Sequence, residues 1–165
     1  MQWPRTILDG LMMTGYFCFA AGAGVLARPM MACNMYPKGI RKLVKPEPGH
    51  KKRALIWFYG IAFLPVLAYG VLSAYISGIH GFWNLFFTAY AELMLVNVGD
   101  FLFLDLWGRE LLGERIMLPG TEDSPYYGRR LWMKTLAVPE HLILWPLVMM
   151  PILSAAMAGI GLLLR

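Results

Sequence analysis

The residues that say most about chemistry are ionisable or amide side chains embedded in apolar sequence, because lipid or a dry core makes them expensive to keep. Glu92 is the clearest, flanked by Phe82 to Leu95 with no other charge. Asn84, Thr88 and Glu92 recur at four-residue steps and so share one helix face, joined further along by Gly99. At 100° per residue Asp100 lies about 80° round from Glu92, and Asn97 nearly opposite it. A carboxylate finds no hydrogen bond in lipid, so this seam must face other helices or a partner. Asn84, Thr88, Glu92, Asn97 and Asp100 are therefore the candidate ligand- or ion-binding residues. Glu92 suits a proton, cation or polar-ligand contact; packing alone would instead set it against Tyr59, Tyr69, Ser73 or Tyr75 of the preceding helix. Asp100 has Arg28 or a loop base as a structural alternative, and Asp105 is expected to be interfacial and solvated.

The histidines and cysteines add little. His80 and His141 fall at opposite ends of apolar runs, about 30 Å of hydrocarbon apart, so they cannot share a haem. His50 and Glu140-His141 share one side, but without a ligand spacing that marks a metal site. Cys18 and Cys33 are about 22 Å apart if helical, beyond disulfide reach. No phosphate loop, nucleophile elbow or His-Glu-x-x-His pair occurs. No catalytic residue can be named, and no metal or cofactor is expected.

The elements that must position these residues follow from composition. Hydrophobic residues form 58% of the chain and charged ones 15%, against about 45–50% and 25% in soluble domains. Four apolar segments reach spanning length: helices are expected over about 7–28, 54–79, 82–107 and 140–164, forming one transmembrane domain over 1–165. Pro65, Pro146 and Pro151 predict kinks that a bundle tolerates. The third helix, polar on more than one side, is expected to pack centrally. Gly70, Ala74 and Gly78, Ala20 and Gly24, and Ala155 and Gly159 mark faces for close helix approach.

Charge sets the orientation. Lys38, Arg41, Lys42, Lys45, Lys51, Lys52 and Arg53 lie in the first loop, and Arg109, Arg115, Arg129, Arg130 and Lys134 in the third connection, against Arg5 and Arg165 opposite. By the positive-inside rule both long loops are cytoplasmic and both termini outside. The fold class is thus an all-α integral membrane four-helix bundle, N-out and C-out, in a bacterial inner membrane. The lipid bilayer is its first partner, and the basic loop suits anionic headgroups. The net charge of +5 is explained by that placement, and nucleic acid is not expected. A further copy or another protein could dock on the small-residue faces. A cleaved signal is disfavoured by Asp9 within the first run and by positive charge after it.

Beyond the third helix, Arg109 to Arg115 continue it as a charged extension, Pro119-Gly120 reads as a tight turn, and Leu131-Trp132-Met133 as an apolar patch at the interface. Thr121 and Glu122 have the residue types that cap turns. Asn97 to Trp107, then Leu118-Pro119-Gly120-Thr121-Glu122, with Tyr36-Pro37-Lys38 and Ile40, resembles a family of small bacterial membrane proteins of no known activity. Those proteins are similar to one another in an Asn…Asp…Leu-Asp-Trp helix end and a Pro-Gly-Thr-Glu turn. In this sequence Leu106 separates Asp105 from Trp107, and the resemblance covers a minor part of the chain. It implies four helices and a cytoplasmic-side cluster of Asp100, Asp105, Thr121 and Glu122.

Three functions fit these observations. The first is transport or ligand binding along the Asn84/Thr88/Glu92 seam, which requires a cavity reaching Glu92. The second is a non-catalytic accessory or scaffold subunit of a membrane complex. The third is a lipid-modifying membrane enzyme using Asp100, Glu122 or His141 as acid or base, which requires those groups to converge.

Overall fold

The computed structural model describes residues 2–45 and 48–164. Four of its helices are long and apolar enough to cross a membrane: α1 (Trp3–Ala27), α2 (His50–Ile76), α3 (Phe82–Ile116) and α4 (Arg129–Leu163). They run up and down in sequence, and no strand occurs among the described residues. One end of the bundle holds the short 77–81 turn and is called the turn end. The other, the loop end, holds the Pro29–Met35 3-10 segment, the Lys38–Arg41 helical turn and the 117–128 connection.

α3 is the centre of the bundle, packed against α1, α2 and α4. The core around it is built from Met13, Phe17, Phe63, Val66, Leu93, Val96, Met150 and Met157. Leu, Ile and Phe side chains such as Phe19, Ile76, Leu147 and Leu163 face outward. Helices of this length and apolarity, if surrounded by lipid, gain little hydrophobic drive toward one another and depend on close packing. Gly10 and Gly99 provide it between α1 and α3: a Cβ at Gly10 would meet Leu95 Cδ1 at 2.5 Å, and one at Gly99 would meet Thr14 Cγ2 at 2.1 Å. Gly24 receives the Trp57 indole and Gly70 the Met157 methyl in the same way. Two expected packing glycines do something else. Gly78 sits in the turn at φ +66, and Gly159 meets nothing within 4 Å.

The loop end carries its own small core of Ala32, Cys33, Tyr36, Ile40, Trp57, Leu118, Tyr127 and Trp132. The Tyr36 hydroxyl donates to the Ile116 carbonyl. Leu118-Pro119-Gly120-Thr121 forms a type II turn: Gly120 has φ +76, the sign that position requires, and Thr121 N–H closes it on the Leu118 carbonyl at 3.1 Å.

Helices α3 and α4 are longer than the apolar runs predict. α3 continues to Ile116 as the charges of 109–115 suggest, and α4 starts at Arg129 rather than near 140. Pro139, which looks like a boundary, lies between two π-helical stretches, Met133–Ala137 and Glu140–Met149. A π turn bonds i to i−5, so its hydrogen-bond register differs from the α ladder that an internal proline interrupts. As a result Trp132 is not an interfacial anchor but is 5% exposed inside the loop-end core.

The prolines free backbone carbonyls, and side chains of neighbouring helices take them up. Pro65 cannot donate to Ile61 O four residues back, and Tyr16 Oη of α1 donates there at 2.7 Å. Pro146 and Pro151 cannot make the π-type bonds to His141 O and Pro146 O. Asn97 Nδ2 donates to the first at 2.9 Å, and Tyr90 Oη to the second at 3.1 Å. Membrane helices tolerate proline by this kind of re-satisfaction.

Candidate functional site

The candidate constellation lies at the loop end, where α3 and α4 lose regular α geometry together. Phe101–Gly108 of α3 and Glu140–Met149 of α4 are both π-helical, a feature concentrated at functional sites. Asp105 and His141 project from these two stretches toward each other. His141 Nε2 and Asp105 Oδ2 are 2.8 Å apart, and His141 Nδ1 and Asn97 Oδ1 are 2.7 Å apart. The other oxygen of Asp105 accepts from Trp132 Nε1 at 2.9 Å.

The donor count fixes the chemistry of this clasp. Asn97 spends its NH₂ group on His141 O, so its carbonyl oxygen is what faces Nδ1. Asp105 faces Nε2 with a carboxylate oxygen. Asn97 Oδ1 can only accept, so Nδ1 carries a hydrogen; with Asp105 ionised Nε2 carries one too, and the clasp is then an imidazolium–carboxylate pair. Both nitrogens are then occupied, leaving none to take a proton from a substrate.

His141 and Asp105 form part of the wall of a cavity of about 90 Å³ enclosed by α1, α3, α4 and the Pro29–Met35 segment. Asp100 and Glu140 line it as well, with Tyr36 and Trp132. The rest of its wall is apolar, including Ala21, Val25, Met35, Leu104 and Leu136. Glu140 accepts from Trp145 Nε1 at 3.3 Å. No side-chain hydrogen bond or ion pair joins Asp100 to any described residue. The Asp105–His141 pair is neutral as a unit, so Asp100 and Glu140 give the cavity an acidic character in an apolar frame.

The other expected site residues are dispersed. Thr88 and Glu92 are each 1% exposed in the packed core, while Asn84 is exposed and donates only to His80 O. The Asn84/Thr88/Glu92 seam is therefore not one surface, and Glu92 is not on the wall of the acidic cavity. Its Oε2 has no hydrogen-bond partner, as is true of Thr88 Oγ1 and Ser154 Oγ. The hydroxyls expected to serve Glu92 serve Asp9 instead: Tyr69 Oη donates to Asp9 Oδ1 at 2.8 Å, and Ser73 Oγ donates to Asp9 Oδ2. Arg5 adds an ion pair to Asp9 at 2.8 Å.

Asp105 is likewise not solvated at the interface; its side chain is 14% exposed and bonded on both oxygens. Asp100 makes no pair with Arg28, which is exposed. Thr121 and Glu122 stay in the turn and do not join Asp100 and Asp105. Thr121 Oγ1 donates to Leu118 O at 2.7 Å, and exposed Glu122 accepts from Gly120 N–H at 2.9 Å. The backbone N–H groups of Glu122 itself, of Gly120 and of Thr121 hold the Glu122 carboxyl below the usual carboxylate range. His50 lines a different cavity from His141, and no metal-holding group of three or more His, Cys, Asp or Glu occurs among the described residues.

The acidic cavity could have been suspected from one sequence signal: Asn97, Asp100, Asp105, Glu140 and His141 all sit near the same ends of two adjacent spans. Its aromatic wall, Tyr36 and Trp132, had no such signal because both come from segments that read as loop. No protein-family model, curated protein or solved structure matches the chain.

Proposed function

We propose that the protein is a four-helix membrane protein of the ligand-binding or transport kind whose loop-end cavity takes up a small ammonium-type cation from the cytoplasmic side. The observation that carries this reading is the composition of one wall: Asp100 without a partner and Glu140 beside it, around an imidazolium already neutralised by Asp105. A carboxylate without a hydrogen bond or ion pair in apolar surroundings, such as Asp100, is costly and is relieved by a cation that supplies N–H donors, while Glu140 already accepts from Trp145 and feels Arg41. The apolar remainder of the wall suits the alkyl part of an amine. A cavity of about 90 Å³ has room for a small alkylammonium ion, since a site needs only about 10–15 Å³ of probe-occupied volume to hold one water.

Orientation rests on the basic loops, which place the cavity on the cytoplasmic side of an inner membrane. The resemblance to small bacterial four-helix proteins with a Pro-Gly-Thr-Glu turn agrees with this architecture. The ligand site in this reading is Asp100 and Glu140, and not the Glu92 seam. A lipid-modifying enzyme is less well supported, because His141 has no free nitrogen and Glu122 lies away from the cavity.

The test is thermal unfolding of the purified protein in detergent with methylammonium, ethylammonium and tetraethylammonium chlorides at matched ionic strength. The first two are expected to raise Tm in a saturable way, and tetraethylammonium is not. Equal shifts from all three would overturn the proposal.

A further inference from the structure

The Pro29–Met35 segment separates the acidic cavity from a second one of opposite character. Ala32 and Met35 face the first, and Cys33 and Asn34 the second. The second cavity, about 330 Å³ and open to the surface, is lined by Asn34, Lys38, Arg41, Lys42, His50 and Lys51, with no carboxylate among its lining residues. Four cations thus converge on one concavity from two pieces of chain: the Lys38–Arg41 turn with its cap Lys42, and the first turn of α2 at Lys51. Their mutual repulsion is not relieved by any ion pair to Lys38, Arg41, Lys42 or Lys51 among the described residues. Arg41 is the informative member. Its Nε is shut off from solvent and lacks an acceptor, so a donor of a fixed, planar fork stands desolvated and unspent. Arg41 feels the Glu140 carboxylate of the acidic cavity electrostatically but makes no ion pair with it, so its charge and those of the three lysines stay available to an oxyanion in the cavity.

The geometry points to an oxyanion-binding site in this cavity, for a phosphate group held by Arg41 and the lysines around it. Guanidinium and ammonium groups are the usual partners of phosphate. Diffuse attraction of lysines to a membrane surface would not need a concave site with an arginine in its wall. A phosphate here could be the headgroup of an anionic phospholipid or a soluble phosphomonoester. The site is separate from the ammonium cavity, and either can fail without the other.

The test uses the full chain and two probes. Lipid exchange is followed by native mass spectrometry after release from nanodiscs containing phosphatidylglycerol and phosphatidylcholine, and soluble anion binding by calorimetry with inorganic phosphate and glycerol phosphate in a neutral detergent. The wild-type protein is expected to retain phosphatidylglycerol preferentially or to bind a soluble phosphate saturably, and which of the two occurs names the source. Arg41→Gln is expected to weaken that binding at least tenfold. Because Arg41 is partly buried, the surface pair Lys38→Gln with Lys51→Gln provides a second variant, expected to weaken it several-fold with an unchanged Tm. Arg129→Gln with Arg130→Gln removes the same charge outside the cavity and is expected to leave it within twofold. Equal losses in both double variants would reduce the site to diffuse charge and overturn the proposal, as would binding of neither phosphate source by the wild type.

Discussion

At the scale of single residues, the clasp of Asn97, His141 and Asp105 ties α3 to α4 with one ring and two helices' worth of donors. If the ring is an imidazolium, ¹⁵N NMR of histidine-labelled protein at pH 7 will show both His141 nitrogens protonated. A neutral tautomer would contradict the ionised pair. Asp105→Asn removes the carboxylate that the ring and Trp132 share. Interhelical polar contacts in membranes are worth about 0.6–1.7 kcal/mol, so this variant is expected to lose about 1–2 kcal/mol in unfolding from mixed micelles, with a shift in Trp132 fluorescence. Glu122 supplies a pH-dependent contact outside the helices. Its native pKa lies below the ordinary 4.5, so its contribution is complete above that value and is lost as pH falls through the lower native one. Amide exchange at Gly120 is expected to quicken in that acid window relative to neighbouring amides, and Glu122→Gln to abolish the pH-dependent step.

At the scale of elements, the prolines and their surrogate donors explain how bent helices remain satisfied. Tyr16→Phe leaves Ile61 O without its donor, and a loss of about 0.6–1.7 kcal/mol is expected. In a Pro65→Ala background residue 65 regains an N–H four residues beyond Ile61, so the same tyrosine change is expected to cost much less. A double-mutant cycle in urea-containing mixed micelles measures this, and strict additivity would show that the hydroxyl and the proline are unrelated. The four helices long and apolar enough to span were legible in the sequence because apolar length is a direct physical requirement of a bilayer. The extent of α4 was not, since Pro139 signals an ending and only the π geometry on either side carries the helix through it. The Pro119-Gly120 turn was readable because one residue fixes φ and the other takes the positive φ that type II requires.

At the scale of the whole molecule, two ends of unlike chemistry emerge. The turn end holds the Arg5–Asp9–Ser73 group, and the loop end holds an acidic and a basic cavity on either side of one short segment. A single acid near the start of an apolar run carries no site signal in the sequence, and the partners of Asp9 at Tyr69 and Ser73 come to it only where α1 and α2 lie side by side. Glu92 attracted attention for its depth, yet depth in α3 means packing under Gly10 and Gly70. The proposed orientation, with the loop end toward the cytoplasm, rests on the charge bias. Cysteine introduced at Lys42 is expected to be labelled only after permeabilisation of whole cells, and cysteine at Ser77 without it, in a background lacking Cys18 and Cys33. The reverse pattern would invert the orientation.

The central claim is that Asp100 and Glu140 hold a small ammonium ion, and calorimetric titration of ethylammonium into the protein in nanodiscs tests it most directly. The account predicts saturable one-to-one binding that Asp100→Asn weakens at least tenfold, that Glu140→Gln weakens less, and that Glu92→Gln leaves intact. Undiminished binding by Asp100→Asn, or its loss in Glu92→Gln alone, would contradict it.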